Sequence, residues 1–241
     1  MSGAKSRDAA LQRHPHLASP CAPGRLRVDC HVHTMWSGDS TTTPDELAEA
    51  LASARIDVVC ITDHSTIAGA LALRDNIGCR VVVGQEQRTP SGEIIGLFLS
   101  ERIPPGLRSA RDAALAIRGS GGVVYVPHPF DPLRHHLDEA AFEELAGEGL
   151  IDAIEVRNGK TSLEHLNERA AGAAVRLGLP GGAGSDAHVP EAVGAAYVEV
   201  DDFSDGASFL RSLRDGLVAG HHFDGSRPFR TRVVPSTSRF A

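Results

Sequence analysis

Paired thiolates are missing from this chain. Its four cysteines, Cys21, Cys30, Cys60 and Cys79, show no Cys-x-x-Cys spacing, which argues against a structural zinc knuckle. Long apolar runs are missing as well: nothing approaches the roughly 18 residues of a membrane helix, so no membrane partner is expected. Aromatic residues make up only 5 % of the 241 positions, and the net charge is −7. Tracking a long nucleic acid calls for a basic face and stacking aromatics, so a long nucleic-acid partner is disfavoured and a short oligonucleotide stays open. The first 25 residues are basic and carry prolines, but lack the apolar core of a secretory signal. Unpatterned cysteines without such a signal suit a reducing, cytoplasmic setting. There is no internal repeat, and oligomeric state is left open.

What the chain does have is a set of short apolar runs that end in acids and histidines. Leu26 to Cys30 leads into His31-Val32-His33-Thr34. Strand side chains two apart share a face, so His31 and His33 can grip one ion from the mouth of a strand. Ile56 to Thr62 ends in Asp63-His64, and Arg80 to Gly84, with three valines, ends in Gln85-Glu86. Val123 to Val126 ends in Pro127-His128-Pro129, and Gly181 to Gly184, poor in apolar side chains but bracketed by a helix and a turn, ends in Ser185-Asp186-Ala187-His188. Ile151 to Val156 is a further strand, within which Glu155 reads as strand-embedded.

Helical signals separate these runs. Thr43-Pro44-Asp45-Glu46 is a capping box with proline at the first helical position, followed by Leu47, Ala50, Leu51 and Ala54 at helical spacing. Thr161 with Glu164 reads as a second helix start of the same kind. Alternating strands and helices predict an α/β fold of parallel βα units, in which sites gather at the carboxyl ends of the strands. One mouth then collects the residues that end the runs. With Asp39 and Glu93 added, the donors are nitrogen and oxygen only and exceed four, which implies more than one ion. Clustered divalent ions are apparatus for in-line displacement at phosphorus. His14, His16, His165, His221 and His222 read as ordinary loop residues.

These motifs, in this order from roughly Arg27 to Tyr197, resemble the PHP (polymerase and histidinol phosphatase) family of metal-dependent phosphoesterases. The resemblance implies a distorted barrel of about seven βα units, with the metal site at the C-terminal ends of the strands. Carried over residue by residue, it implies a first metal position on His31, His33, Glu86 and Asp186. It implies a second on Asp39, His64 and His188, and a third that shares Glu86 and adds Glu93 and His128. Two positions depart from the family pattern. Gly38 stands where the acid after the first motif usually sits, with Asp39 one residue on, and Glu93 stands where many relatives place histidine.

Two to three ions of manganese, iron or zinc are expected from the hard and borderline donor set. Glu86, Asp186 and His188 are the candidate catalytic residues. Arg134, Arg88 and Arg157 are candidates to hold phosphate oxygens through the guanidinium fork, with Asn158 in the pocket wall and Lys160 a further cation nearby. The expected reaction is hydrolysis of a small phosphomonoester (a nucleotide, sugar phosphate or amino-alcohol phosphate) by a metal-bridging hydroxide. The alternatives are a short-range nuclease or oligonucleotide phosphatase, and a metal-binding regulatory domain without turnover. The expected organisation is a loosely ordered tail over 1–24, a catalytic domain over 25–226, and a C-terminal tail over 227–241 containing the basic run Arg227 to Arg232.

Overall fold

In the computed structural model, which describes residues 2–223 and residue 225, nine strands form one sheet. They are β1 (Arg25–Val32), β2 (Val58–Ile61), β3 (Arg80–Thr89), β4 (Gly92–Leu97), β5 (Val123–Val126), β6 (Ala153–Asn158), β7 (Gly181–Gly184), β8 (Ala196–Asp201) and β9 (Leu217–Gly220). Their order is β7-β6-β5-β4-β3-β2-β1-β8-β9. A parallel bridge between Val32 and Ala187 draws the end of β1 against the segment after β7, and the sheet curls into a nearly closed barrel. Around it lie α1 (Ser2–Arg13), α2 (Pro44–Ala54), α3 (Ala68–Leu73), α4 (Ala110–Gly119), α5 (Glu139–Gly147), α6 (Glu164–Leu177) and α7 (Gly206–Arg214).

The two faces of the strands build two cores, as alternation of side chains requires. Val28, Cys30, Val58, Cys60, Val82, Ile95, Tyr125, Ala153 and Ala183 form one buried cluster, with Phe203 and the α7 residues Phe209 and Leu213 packed into it. The larger cluster joins Val59, Ile61, Val81 and Val83 to helix residues such as Leu47, Leu51 and Ile117. The α/β barrel expected from sequence is therefore present, but its sheet is mixed. Strand β4 runs antiparallel to both β3 and β5, and β8 and β9 add two antiparallel strands beside β1.

The capping box forms as expected: the Thr43 hydroxyl accepts from the Glu46 amide and the Glu46 carboxylate accepts from the Thr43 amide. Thr161 does not cap. Helix α6 starts at Glu164, and the Thr161 hydroxyl donates to Asp131 instead, at 2.7 Å. Part of the expected N-terminal tail is structured, too. Helix α1 packs on α2, and a short 3-10 turn, Pro15–Ala18, buries Leu17. His14 and His16 anchor it through the carbonyls of Glu191 and Gly194, at 2.8 and 2.9 Å. These tertiary contacts have no local periodicity, so the sequence pattern does not reveal them. The expected C-terminal tail over 227–241 lies outside the described residues.

Candidate metal centre

At the mouth formed by the carboxyl ends of the parallel strands and the amino end of antiparallel β4, nine histidines and carboxylates converge: His31, His33, Asp39, His64, Glu86, Glu93, His128, Asp186 and His188. They are the nine ligands expected from sequence, and they fall into overlapping groups. His31, His33 and Glu86 form one, and His33, Asp39, His64 and His188 a second. His31, His128 and Asp186 form a third, and His64, Glu86 and Glu93 a fourth. His33 thus adds to the set expected for the second position. Glu93 stands closest in grouping to His64 and Glu86, although His128 Nε2 is 3.6 Å from its Oε2.

Local backbone features aim these side chains. The β1–β2 pairing shifts register between Asp29 and Val32, an irregularity that re-aims the strand end where His31 follows the core residue Cys30. Asp186 adopts φ +53 and His128 φ +28, conformations that side-chain-bearing residues rarely take. The first is held by its amide donating to His31 O at 2.8 Å. Asp63 is buried and accepts from both the amide and the hydroxyl of Thr34, which ties the first motif to the second. In β7 the lack of side chains is a packing requirement. A Cβ on Gly184 would lie 2.4 Å from His31 Cβ and 2.6 Å from Glu155 Oε1.

The donor geometry fits divalent cations. His31 Nε2 and His33 Nε2 face each other at 3.0 Å, with Glu86 Oε2 at 3.5 and 3.3 Å and Asp186 Oδ1 at 3.7 and 3.5 Å. Buried His64 Nδ1 forms no hydrogen bond, although Glu86 Oε2 lies 3.3 Å away. A buried imidazole nitrogen without a hydrogen bond beside this carboxylate is placed as a ligand of a shared ion would be. His64 Nε2 and His188 Nε2 lie 3.0 and 3.5 Å from Asp39 Oδ2, so the one-residue displacement of this acid does not keep it from the site.

Mutual electrostatics dominate here. Burial opposes charge on Glu86, but His31, His64 and His128 outweigh it and hold the carboxyl well below the usual range. Burial likewise opposes charge on Asp186, and Lys160 and His31 reverse it. Burial and then repulsion from His188 push His33 down to about 4. For His64, burial is overcome by Glu86 and Asp39, and its pKa rises to about 9. Glu86 and Asp186 are therefore held as carboxylates, the form that ligates cations.

Above the donors lies a cavity of about 230 Å³, lined among others by Arg88, Leu133, Arg134, His135 and Lys160. Arg134 Nε is buried without a hydrogen-bond partner, 4.0 Å from Asp186 Oδ2. Lys160 Nζ lies 3.1 Å from His188 Nδ1. Arg88 pairs with Glu93 at 2.8 Å and stays half exposed. Arg157 is absent from the lining and pairs with Glu164 of α6. Asn158 is buried and joins Glu155 to Asp186, with Nδ2 distances of 2.9 and 3.4 Å, as part of the supporting network. Sequence reasoning ranks Lys160 too low and misses the inward aim of Glu155. The position of Lys160 just after β6 is the available signal for the first, whereas Glu155, interior to β6, carries no local one.

Known protein families match parts of this chain. The model of the PHP domain matches residues 29–88, and that of the PHP-associated region matches 164–218. Between them they span seven of the nine donors, all but Glu93 and His128. The chain belongs to the PHP family. An uncharacterised protein of Methanocaldococcus jannaschii is 37 % identical over 146 residues, which covers 55 % of this PHP chain and 82 % of the relative. A two-domain protein from Bacteroides vulgatus containing a predicted PHP-like metal-dependent phosphoesterase superposes with TM-score 0.65 at 19 % identity, covering 84 % of this chain and 67 % of the other. A lesion-specific endonuclease from Pyrococcus furiosus superposes with TM-score 0.57 at 14 % identity, covering 81 % and 59 %. By fold and family this is a PHP-type α/β barrel, and the solved structures it resembles include a predicted metal-dependent phosphoesterase. Among the described residues, no helix is long and apolar enough to cross a membrane.

Proposed function

We propose that this PHP protein hydrolyses a small phosphomonoester, such as a nucleotide, a sugar phosphate or an amino-alcohol phosphate. The observation that carries the reading is the cavity itself: about 230 Å³ of space lined by carboxylate and imidazole donors together with Arg134 and Lys160. That volume suits a phosphate with a small leaving group. His31, His33, Glu86 and Asp186 would hold one ion, and Asp39, His64 and His188 a second. Glu86, Glu93 and His128 would hold a third, with manganese, iron or zinc as the metals suited to these donors. When bound, the metals supply Lewis acidity and a nucleophile at neutral pH.

The chain's own side chains do the remainder. Arg134 and Lys160 hold the non-bridging oxygens as charge builds, acting as preorganised cations. Glu86 sets the spacing of the donors, since it stands within 3.5 Å of His31, His33, His64 and His128. Asp186 and His188 border the cavity, where they would orient water against the phosphoryl group.

A second reading, a short-range nuclease or oligonucleotide phosphatase, draws on an adjoining cavity of about 320 Å³. Trp36, Asp39, His64, Arg88 and Arg102 line it, and an aromatic face beside cations can receive a further nucleotide. A panel assay of the metal-loaded protein separates the two. Faster turnover of mononucleotides, sugar phosphates or amino-alcohol phosphates than of short single-stranded oligonucleotides is the expected result. Preference for the oligonucleotides would overturn it in favour of the second reading. No turnover of any phosphoester at full metal loading would instead favour a regulatory domain.

A further inference from the structure

We infer that Glu155 is a positioning residue that sets which nitrogen of His31 faces the metal centre and locks His128 beside it. The inference rests on the metal-centre reading above and assigns a role to a carboxylate outside its ligand set. Glu155 is fully buried in β6, where a carboxylate needs partners to be tolerated. It has three. Its Oε1 lies 3.3 Å from His31 Nδ1, while its Oε2 accepts from the His128 amide at 2.7 Å and from Asn158 Nδ2 at 2.9 Å.

The consequence for His31 follows from the tautomer rule for imidazole. The nitrogen turned toward the other donors is Nε2, 3.0 Å from His33 Nε2. To offer a lone pair there, the neutral ring must carry its proton on Nδ1, and Glu155 is the acceptor waiting for that proton. The consequence for His128 is conformational. Its φ of +28 is unfavourable for a residue with a side chain, and the Glu155 carboxylate ties down the amide of that same residue. One side chain on β6 therefore fixes a donor at the end of β1 and another in the loop after β5. The bare Cα of Gly184 leaves room for it, since a Cβ there would meet Glu155 Oε1 at 2.6 Å.

Glutamine cannot replace it. Three donor groups point at the carboxylate, and an amide offers one accepting oxygen and a further donor. If the oxygen stays with His128 and Asn158, the NH₂ faces His31 Nδ1 and favours a proton on Nε2, where it obstructs metal.

The test is a zinc titration by chelator competition on wild type and Glu155→Gln, with ¹⁵N-histidine NMR of the zinc-loaded proteins. In wild type, His31 should coordinate through Nε2 and show a slowly exchanging, hydrogen-bonded Nδ1 proton. In Glu155→Gln that proton signal should be lost, and affinity at the site containing His31 should fall about 10- to 100-fold. Unchanged zinc affinity in a folded Glu155→Gln protein would overturn the inference, and so would coordination of His31 through Nδ1 in wild type. The wild-type spectrum decides the matter even if the variant does not fold. Absence of zinc from His31 in wild type would instead bring down the metal-centre reading itself.

Discussion

Arg88 and Glu93 stand directly opposite each other in the antiparallel β3–β4 pair, and their side chains close an ion pair of 2.8 Å. Glu93 is also within 3.6 Å of His128 and 3.8 Å of His64. A guanidinium and an ion at the third position would thus compete for one carboxylate. Glu93→Ala should lose one metal per chain while the sites built on His31/His33 and His64/His188 stay filled, and substrate affinity should weaken with the rate. Glu93→His should retain that ion. Unaltered metal content and kinetics in Glu93→Ala would make a two-metal enzyme the better description.

Elemental analysis of protein prepared with added manganese, iron or zinc should find about two to three ions per chain, given three to four protein ligands per ion. One ion or fewer in active protein is incompatible with a multinuclear centre.

Glu86 touches more of the centre than any terminal ligand. Glu86→Ala should lower kcat by roughly 10³-fold or more, about 4 kcal/mol of barrier, with the far-ultraviolet circular dichroism preserved because the apolar cores lie apart from the mouth. A loss of less than about tenfold would show that the donors are wrongly assigned.

Away from the centre, burial holds the pKa of His14 and His16 down to about 4, with their carbonyl hydrogen bonds opposing and neighbouring His221 adding repulsion. The ordinary value is about 6.5. Between pH 6.5 and 4 the unfolded chain binds more protons than the folded one, so this contribution to stability is full above pH 6.5 and lost as pH falls toward 4. Denaturant titrations across that window should show a shallower pH dependence for His14→Asn than for wild type. Equal slopes would contradict the assignment.

Gly184→Ala places a methyl group 2.4 Å from His31 Cβ and 2.8 Å from the His31 amide nitrogen. Overpacking of this kind costs about 1–3 kcal/mol, and here it displaces a metal donor. Both the thermal midpoint and zinc affinity should drop. A variant with wild-type values of both would mean that β7 yields more readily than its packing implies.

Much of the centre is legible in the amino-acid sequence alone. Each donor motif ends an apolar run, and an α/β sheet gathers the carboxyl ends of such runs, so the order of the motifs suffices to place His31, His33, His64, Glu86, His128, Asp186 and His188 together. Asp39 and Glu93 require the family resemblance, because neither ends a run. Helix α2 is equally plain, since a capping box and an i, i+3, i+4 apolar pattern are local signals.

Other features depend on partners distant in sequence. Thr161 has a capping residue's chemistry, yet Asp131, 30 positions away, takes its hydroxyl. Arg157 and Lys160 are both strand-end cations. Glu164 draws the first into an ion pair, and the second approaches His188 across 28 positions. The same holds for Glu155, which looks strand-embedded until β1 and the loop after β5 bring His31 and His128 to its two oxygens. The chain's local chemistry determined which residues can bind metal and which segments become strands and helices, because caps, periodicity and donor type act within a few residues. Strand register and sheet closure decided which cations face the cavity and which carboxylate supports the ligands, because those contacts exist only once distant segments are packed side by side.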